Sequence, residues 1–570
     1  MITLNNINLS SIDLLGIDLR GIKLGLGGRG GGSGDGFPQL PGDVTRWHFG
    51  GLTNEMMAAM DDPRIEDADH KGRFLSFKNF AWGGMSGVGG YTENYNSNRW
   101  YKVETRIDAT WTYKSFNARS IKDNIAAQLF YQSKSSDTGF RVLSCTIKVS
   151  GLTDGQGIEY VSNGTQQFVI MRIENDGIYH LPSFDFGAKN AYYGFRFLKL
   201  QESCNITIEQ LPLYPGALVF DGVDDRGTCD NFPVLTKEKG YTVVALRQWD
   251  QDFLNTTLTG GLLSTRNYST GEGVAFEKIE SSNKGYWNLG AGGIIDFAKS
   301  PFTWQTSKQY NNVGILKGDK NHGKPLCVGC GLSGGQQCGR FAIWELVFLD
   351  HDATEEELTK IKDYFVKTYP WLFPDQAWTV VGKTNEDEDR ATIANITGNG
   401  NDLVCLNLGF IEGSGYNEEG EYAGYLVTDG VDDKIVSSVF GMGKDFTIVG
   451  DWKLINTGKN DNAGIVKFDS IVIYNYNPIL INIKNGRNNL IPDQNTVNAI
   501  CSDGRIYSKD WKESIYNEET ESTSKNLLTI GYSGNIYTKI AFKNLAIYPT
   551  VLSKEDCIKA YNYLQTLKAK

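Results

Sequence analysis

GALVFDGVDD occupies residues 216–225, and GYLVTDGVDD occupies residues 424–433. Each runs on to a matching close, FAIWELVFLDHDATEEELTKIKDYF from Phe341 and IAFKNLAIYPTVLSKEDCIKAYNYL from Ile540. Two landmarks in one order mean one domain present twice. A third landmark lies ahead of them. Trp47, Gly51, Thr53, Asn54 and Glu55 match Trp378, Gly382, Thr384, Asn385 and Glu386. Gly72, Leu75, Asn79, Ser86 and Gly87 then match Gly400, Leu403, Asn407, Ser414 and Gly415. The copies stand 328 residues apart at Gly72, 208 apart at DGVDD and 199 apart at the close. The first copy therefore holds 120 residues between Tyr91 and Gly216 that the second lacks. That is room for a separate small domain. The chain divides into a tail (1–24), a glycine-rich segment (25–41), a discontinuous first repeat (42–98 and 214–372), an insert (99–213) and a second repeat (373–570).

Local patterns give the elements. DGVDD places a tight turn at Asp221–Gly222 and again at Asp429–Gly430. Phe446, Ile448, Gly450, Trp452 and Leu454 alternate with Thr447, Val449, Asp451 and Lys453, which predicts a half-buried antiparallel strand. In the closing segments, Phe341 and Ile343 are in phase and Leu346 and Phe348 are in the opposite phase. Ile540, Phe542, Leu545 and Ile547 slip in the same way, so a β-bulge is expected at Trp344–Glu345 and at Lys543–Asn544. Thr354-x-x-Glu357 and Ser553-x-x-Asp556 are helix-capping signals, and Leu358, Ile361 and Phe365 form one apolar face behind the first. The insert reads as six or seven short strands punctuated by turns such as Asp154–Gly155 and Asp176–Gly177, which predicts a compact β-sandwich. Only Asp375–Gln376 links the repeats, so they are expected to pack against each other or to sit at a fixed angle.

Composition narrows the function classes. Sixty-five glycines and 14 prolines in 570 residues suit many strands joined by tight turns. A net charge of −11 gives no electrostatic reason to bind nucleic acid. No apolar stretch approaches a membrane span, and MITLNNINLSSIDLLG lacks the basic start and apolar core of a signal peptide. Synthesis in a bacterial cytoplasm, without membrane insertion, is the expectation. His322, Cys327, Cys330 and Cys338 have zinc-like spacing, but Cys327 and Cys330 align with Thr529 and Tyr532 in the second copy. A metal that the fold requires would be present in both, so buried thiols are expected instead.

The first residues have a rhythm of five. Ile2, Ile7, Ile12, Ile17 and Ile22 alternate with Leu4, Leu9, Leu14, Leu19 and Leu24 as I-x-L-x-x. Neither a helix nor a flat strand has that period; a chain turning a corner each repeat does. It resembles pentapeptide repeats. Five repeats are too few to bury a core, so the segment needs something to pack on. GLGGRGGGSGDG (25–36) follows as a joint. The order of tail, joint and body suits an anchored appendage held together as a homotrimer or homodimer by its tail.

The second copy carries a further resemblance. Its turn at Thr397–Asp402, its DGVDD at Asp429–Asp433 and its closing cap at Ser553–Asp556 resemble the laminin-G-like, concanavalin A-like jelly roll. The resemblance implies an all-β chain of two such sandwiches in tandem, the first interrupted by a smaller β-sandwich. That family includes lectins, calcium-dependent adhesion modules and glycoside hydrolases. Hydrolases of this fold carry E-x-D-x-x-E. Here the only E-x-D is Glu174–Asn175–Asp176, with Tyr179 in the third place. Gly331-x-Ser333-x-Gly335 lacks the helix a nucleophile elbow needs, and the acidic run Glu386–Asp389 lacks strand alternation. No enzymatic activity and no cofactor are expected. Asp221 and Asp224 could offer oxygens to calcium, or simply hold the turn. The insert resembles carbohydrate-binding modules, which makes Trp100, Tyr101, Trp111, Tyr192 and Tyr193 candidates for stacking on sugar rings. With its tail, the whole resembles fibre and decoration proteins of bacteriophage virions, especially of Bacteroidales phages. That implies a structural protein on the virion surface, attached to capsid or tail proteins and binding a host-surface glycan. The alternative is a bacterial cell-surface lectin or glycan-binding protein, and a third reading is a glycoside hydrolase of the concanavalin A-like fold.

Overall fold

The computed structural model describes residues 36–569 apart from internal segments, of which the longest are 133–140, 266–274, 288–294, 307–324, 456–462 and 516–524. The I-x-L-x-x run, Ser333 to Gly335 and His322 lie outside the described residues. The chain is all-β, with four short α-helices among the described residues. These are α1 (Asn54–Ala58), α2 (Gln251–Leu254), α3 (Glu355–Thr368) and α4 (Lys554–Gln565).

Each repeat is a sandwich of two sheets. In the first, one sheet runs in the order Phe302–Thr306, Thr242–Trp249, Arg340–Leu349, Leu218–Asp221, Gly87–Val88, with Val44–His48 also on Arg340–Leu349. This sheet takes strands from both sides of the insert. Its counterpart in the second repeat runs Val497–Cys501, Thr447–Leu454, Ile540–Tyr548, Tyr425–Val427, Gly415–Asn417, with Gln376–Thr379 on Ile540–Tyr548. Trp47, Phe77, Phe220, Trp249 and Phe341 fill the first sandwich; Trp378, Leu426, Trp452, Ile506 and Phe542 fill the second.

The point of insertion explains how 120 extra residues are tolerated. Val88 pairs with Leu218, and Gly87 with Val219. In the second repeat the matching strands, Gly415–Asn417 and Tyr425–Val427, are joined directly as a hairpin. The insert thus replaces a hairpin loop, leaving and returning through neighbouring strands. It folds into two five-stranded sheets, Ile107–Trp111 with four partners and Trp100–Lys102 with four partners, around its own core. That is more strands than the six or seven expected, because runs read as single strands divide: 167–181 breaks into Gln167–Ile173 and Gly177–Leu181.

Both bulges are where the phase slip puts them. Leu246 pairs with Glu345 and Arg247 with Ile343, which leaves Trp344 as the extra residue. Asp451 pairs with Asn544 and Trp452 with Phe542, which leaves Lys543. The caps hold too: Thr354 and Glu357 close a capping box on α3, and Ser553 caps α4.

One expectation is corrected. The strand Thr447–Leu454 is not half-buried: Thr447, Val449 and Asp451, on its polar side, are buried as deeply as the core side. The cause is a layer between the repeats. α3 and α4 pack with Trp344, Val347, Val449 and Ala546 in one core shared by both sandwiches. The Tyr548 hydroxyl donates to the Trp371 carbonyl at 3.0 Å, and that of Tyr563 to Gln248 at 3.2 Å. The central sheets are therefore covered on both faces.

Candidate functional site

The repeated letters are framework. Asp221 accepts from the Val223 amide at 2.7 Å, and Asp225 from the Asp221 amide at 3.0 Å. Asp429 and Asp433 do the same at 2.7 and 2.8 Å. Gly222 and Gly430 both sit at φ 78°, each pressed on the backbone or Cβ of a neighbouring strand. Asn79 donates to the Asp224 carbonyl and Asn407 to the Asp432 carbonyl, both at 3.1 Å.

Asp221, Asp224 and Asp225 bring a carboxylate oxygen each within 4.8 Å of one another, and so do Asp429, Asp432 and Asp433. Hard oxygens so grouped fit calcium in type. The carboxylates of Asp221, Asp225, Asp429 and Asp433 already accept from amides of their own turns. Burial, then the charge of Asp221, pushes the Asp225 carboxyl up to about 7, and burial raises Asp433 as well.

The five aromatic candidates of the insert separate into core and surface. Trp100 and Tyr193 are buried, their rings 5.7 Å apart, and the Tyr193 hydroxyl donates to Glu93 at 2.7 Å. Trp111 packs half-buried against the core, 5.5 Å from Phe116. The buried pair presents no free ring face. Tyr101 and Tyr192 lie on the outer face of the other sheet. Tyr101 pairs across the sheet with Phe130, and Phe130 with Gly194. The half-buried Tyr192 ring stacks on Phe130 at 4.5 Å and 22°. Burial, then the neighbouring Tyr192, raises the Tyr101 hydroxyl above its ordinary pKa.

Gly194 makes this possible. It sits at φ 150°, and a Cβ there would lie 2.3 Å from the Leu129 carbonyl oxygen and 3.1 Å from the Phe130 ring. One pair along the strands, Arg196 lies opposite Glu159, and its Nε donates to Glu159 at 2.7 Å. Phe130 itself is buried, so the rings this face offers are the half-buried Tyr101 and Tyr192, beside the Arg196–Glu159 pair. A sugar uses both kinds of group, its C–H face stacking on rings while its hydroxyls bond to charged and amide groups. The sequence reading missed Phe130, Gly194, Arg196 and Glu159. A glycine inside a strand, directly after a tyrosine pair, was the available signal.

The other groups considered have structural duties. Asp176 accepts from the amides of Gly151 and Leu152 at 2.9 and 2.8 Å, and Glu174 pairs with Arg172. Asp387 accepts from the Thr384 amide at 2.8 Å in a loop. Cys330 and Cys338 were expected as thiols but form a disulfide, because antiparallel strands place them directly opposite each other; Cys327 is a buried free thiol beside them. Among the described residues no helix is long and apolar enough to cross a membrane.

No family model matches the sequence. No curated protein matches it either. Among solved structures, the chain is similar to the binding domain of botulinum neurotoxin serotype D, at 11% identity and a TM-score of 0.23 over 58% of this chain and 87% of that one. It is also similar to Trypanosoma rangeli sialidase in complex with sialic acid, at 8% identity and a TM-score of 0.23 over 84% of this chain and 97% of that one. The sialidase corrects the expectation of a protein without enzymatic activity. Missing motifs exclude only the reactions those motifs serve, whereas a fold can bring catalytic groups together from distant strands.

Proposed function

We propose that this chain is a glycan-binding adhesion protein carried on the surface of a bacteriophage particle, with the insert's outer sheet face as the sugar site. The observation that carries the reading is the Tyr192–Phe130 stack, flanked by Tyr101 and by the Arg196–Glu159 pair. Rings on an outer sheet face, with hydrogen-bonding groups one row away, offer a sugar both kinds of contact it uses. The particle role is supported by the order of the chain: an apolar tail unable to bury itself, a glycine joint, then a body of β-sandwiches. The tail holds copies together as an oligomer, and the oligomer attaches to capsid or tail proteins.

Two measurements test it. A glycan array probed with the full chain should show binding to host-surface polysaccharide that Tyr192→Ala weakens; binding unchanged by that substitution rejects the site. Deleting residues 1–36 should leave a body with unchanged melting that no longer sediments with particles. A truncated body that still joins particles rejects the anchoring role of the tail.

A further inference from the structure

The two repeats share a fold and a set of turn letters, so each serves as a control for the other's surface. On the outer sheet of the second repeat, Leu403–Leu406 pairs with Lys434–Gly441, Val404 opposite Val436 and Leu406 opposite Lys434. The next strand continues the row, with Leu527 opposite Val439. Leu403, Cys405, Ile435 and Leu528 point into the core, and their neighbours point out. Val404 is 40% exposed, Leu406 36%, Val439 54% and Leu527 47%. This is one contiguous apolar strip across three strands.

At three of these places the first repeat is polar, although Phe74, one step before Ser76 on the same face, is 38% exposed. Phe74–Lys78 pairs with Arg226–Cys229, with Ser76 opposite Thr228 and Lys78 opposite Arg226. Ser76, Lys78 and Thr228 thus stand where Val404, Leu406 and Val436 stand in the second repeat. The fold does not need an apolar strip there, since the first copy does without it. Exposed apolar surface that a fold does not require marks something that covers it.

The sequence itself offers an occupant. Residues 2–24 carry five isoleucines and five leucines in I-x-L-x-x order and cannot bury them among themselves. In an extended I-x-L triplet both apolar side chains fall on one side, about 7 Å apart. Val404 and Leu406 repeat at the same two-residue step. The segment is formally neutral, with Asp13 and Asp18 against Arg20 and Lys23, so nothing repels it from the strip and its Lys434. We propose that residues 2–24 of one chain dock on the outer strip of the second repeat of a neighbouring chain, and that this contact builds the oligomer. The inference rests on the oligomeric reading above and names the surface it uses.

The test uses full-length protein throughout. A photoreactive benzoylphenylalanine is placed at Leu9, and isotopically light and heavy chains are mixed before irradiation. Expected are light–heavy adducts mapping to residues 401–406, 434–440 or 525–530. In parallel, the triple variant Val404→Ser, Leu406→Lys, Val436→Thr copies the first repeat's residues into the second. Sedimentation should give an oligomer for the unmodified chain and a monomer for the variant, with unchanged far-ultraviolet circular dichroism. Intermolecular adducts on another face, or an oligomer that survives the triple substitution, reject this surface and leave the oligomer standing. Adducts confined within one chain reject the exchange between neighbours. An unmodified chain that sediments as a monomer rejects both the surface and the oligomeric reading, whereas loss of glycan binding alone touches neither.

Discussion

The side chain of Asn385 pairs with the backbone of Tyr416 as a strand residue would: its amide donates to the Tyr416 carbonyl and its carbonyl accepts from the Tyr416 amide, both at 2.8 Å. Asn54 repeats this with Val88, at 3.0 and 2.7 Å. Each asparagine substitutes for a missing neighbour strand at the edge of its sheet. Removing one leaves two backbone groups without partners, at a cost of about 1–3 kcal/mol. Asn54→Ala and Asn385→Ala should each lower stability by about that much in denaturant unfolding. Asn54→Ala should also loosen the insert, whose first connection follows Val88, and amide hydrogen exchange at residues 88–95 reads this out.

Duplication was legible in the sequence because the shared letters hold geometry that few residues can. Asn79 and Asn407 adopt φ 69° and 66°, and Gly72 and Gly400 adopt 74° and 73°. His70 takes φ 54° where the second copy has Gly398 at 81°, so even the turn whose letters differ keeps its shape. The candidate site was less legible. Alternation says which residues share a face, but it cannot say which face is covered. Trp100 and Tyr101 are adjacent letters of equal promise, and only the pairing of strands sends one into the core and leaves the other outside. For the same reason the polar side of Thr447–Leu454 read as surface: the helices that cover it come from elsewhere in the chain.

Tyr192 and Trp100 should therefore fail differently. Tyr192→Ala removes an outer ring and should weaken glycan binding by about 1 kcal/mol, with little change in melting. Trp100→Ala empties a core position and should destabilise the insert by about 3–5 kcal/mol. Isothermal titration and thermal melting on both variants separate the two. Equal losses of stability would mean that Tyr192 is a core residue after all.

Acid should loosen the contact between the insert and the second repeat. His180 of the insert lies 6.0 Å from the Tyr561 ring, and its pKa is depressed to about 3, by burial first and then by Lys543, with Lys453 adding to it and Asp451 opposing. A depressed histidine is neutral when folded. Its contribution is complete above pH 6.5, where the unfolded histidine is neutral too. It is lost as pH falls from 6.5 towards 3, at up to about 1.4 kcal/mol per pH unit. His180→Gln should flatten this part of the pH–stability profile relative to the unmodified protein. Parallel profiles for the two proteins would show that His180 plays no part.

The buried pair of the first repeat can be judged against the second. Glu345 is fully buried, bonded to Arg46 at 3.3 Å and to the Tyr369 hydroxyl at 3.0 Å, and the Arg46 guanidinium lies 4.3 Å over the Phe37 ring. In the second repeat the residues in these places are Asn544 and Ala377, since Trp378 matches Trp47 and the closing strands match residue for residue. The sheet thus forms with or without the ion pair. Arg46→Ala alone leaves Glu345 buried with His48, 2.6 Å away, and the Tyr364 and Tyr369 hydroxyls as its remaining partners, and should cost at most about 3–5 kcal/mol. Arg46→Ala with Glu345→Asn removes both charges and leaves the combination that the second repeat already tolerates. The double variant should be more stable than the single one in urea unfolding. If it is equally or less stable, the pair is worth more to this fold than its desolvation costs, and the two repeats differ in how their shared helical layer is held.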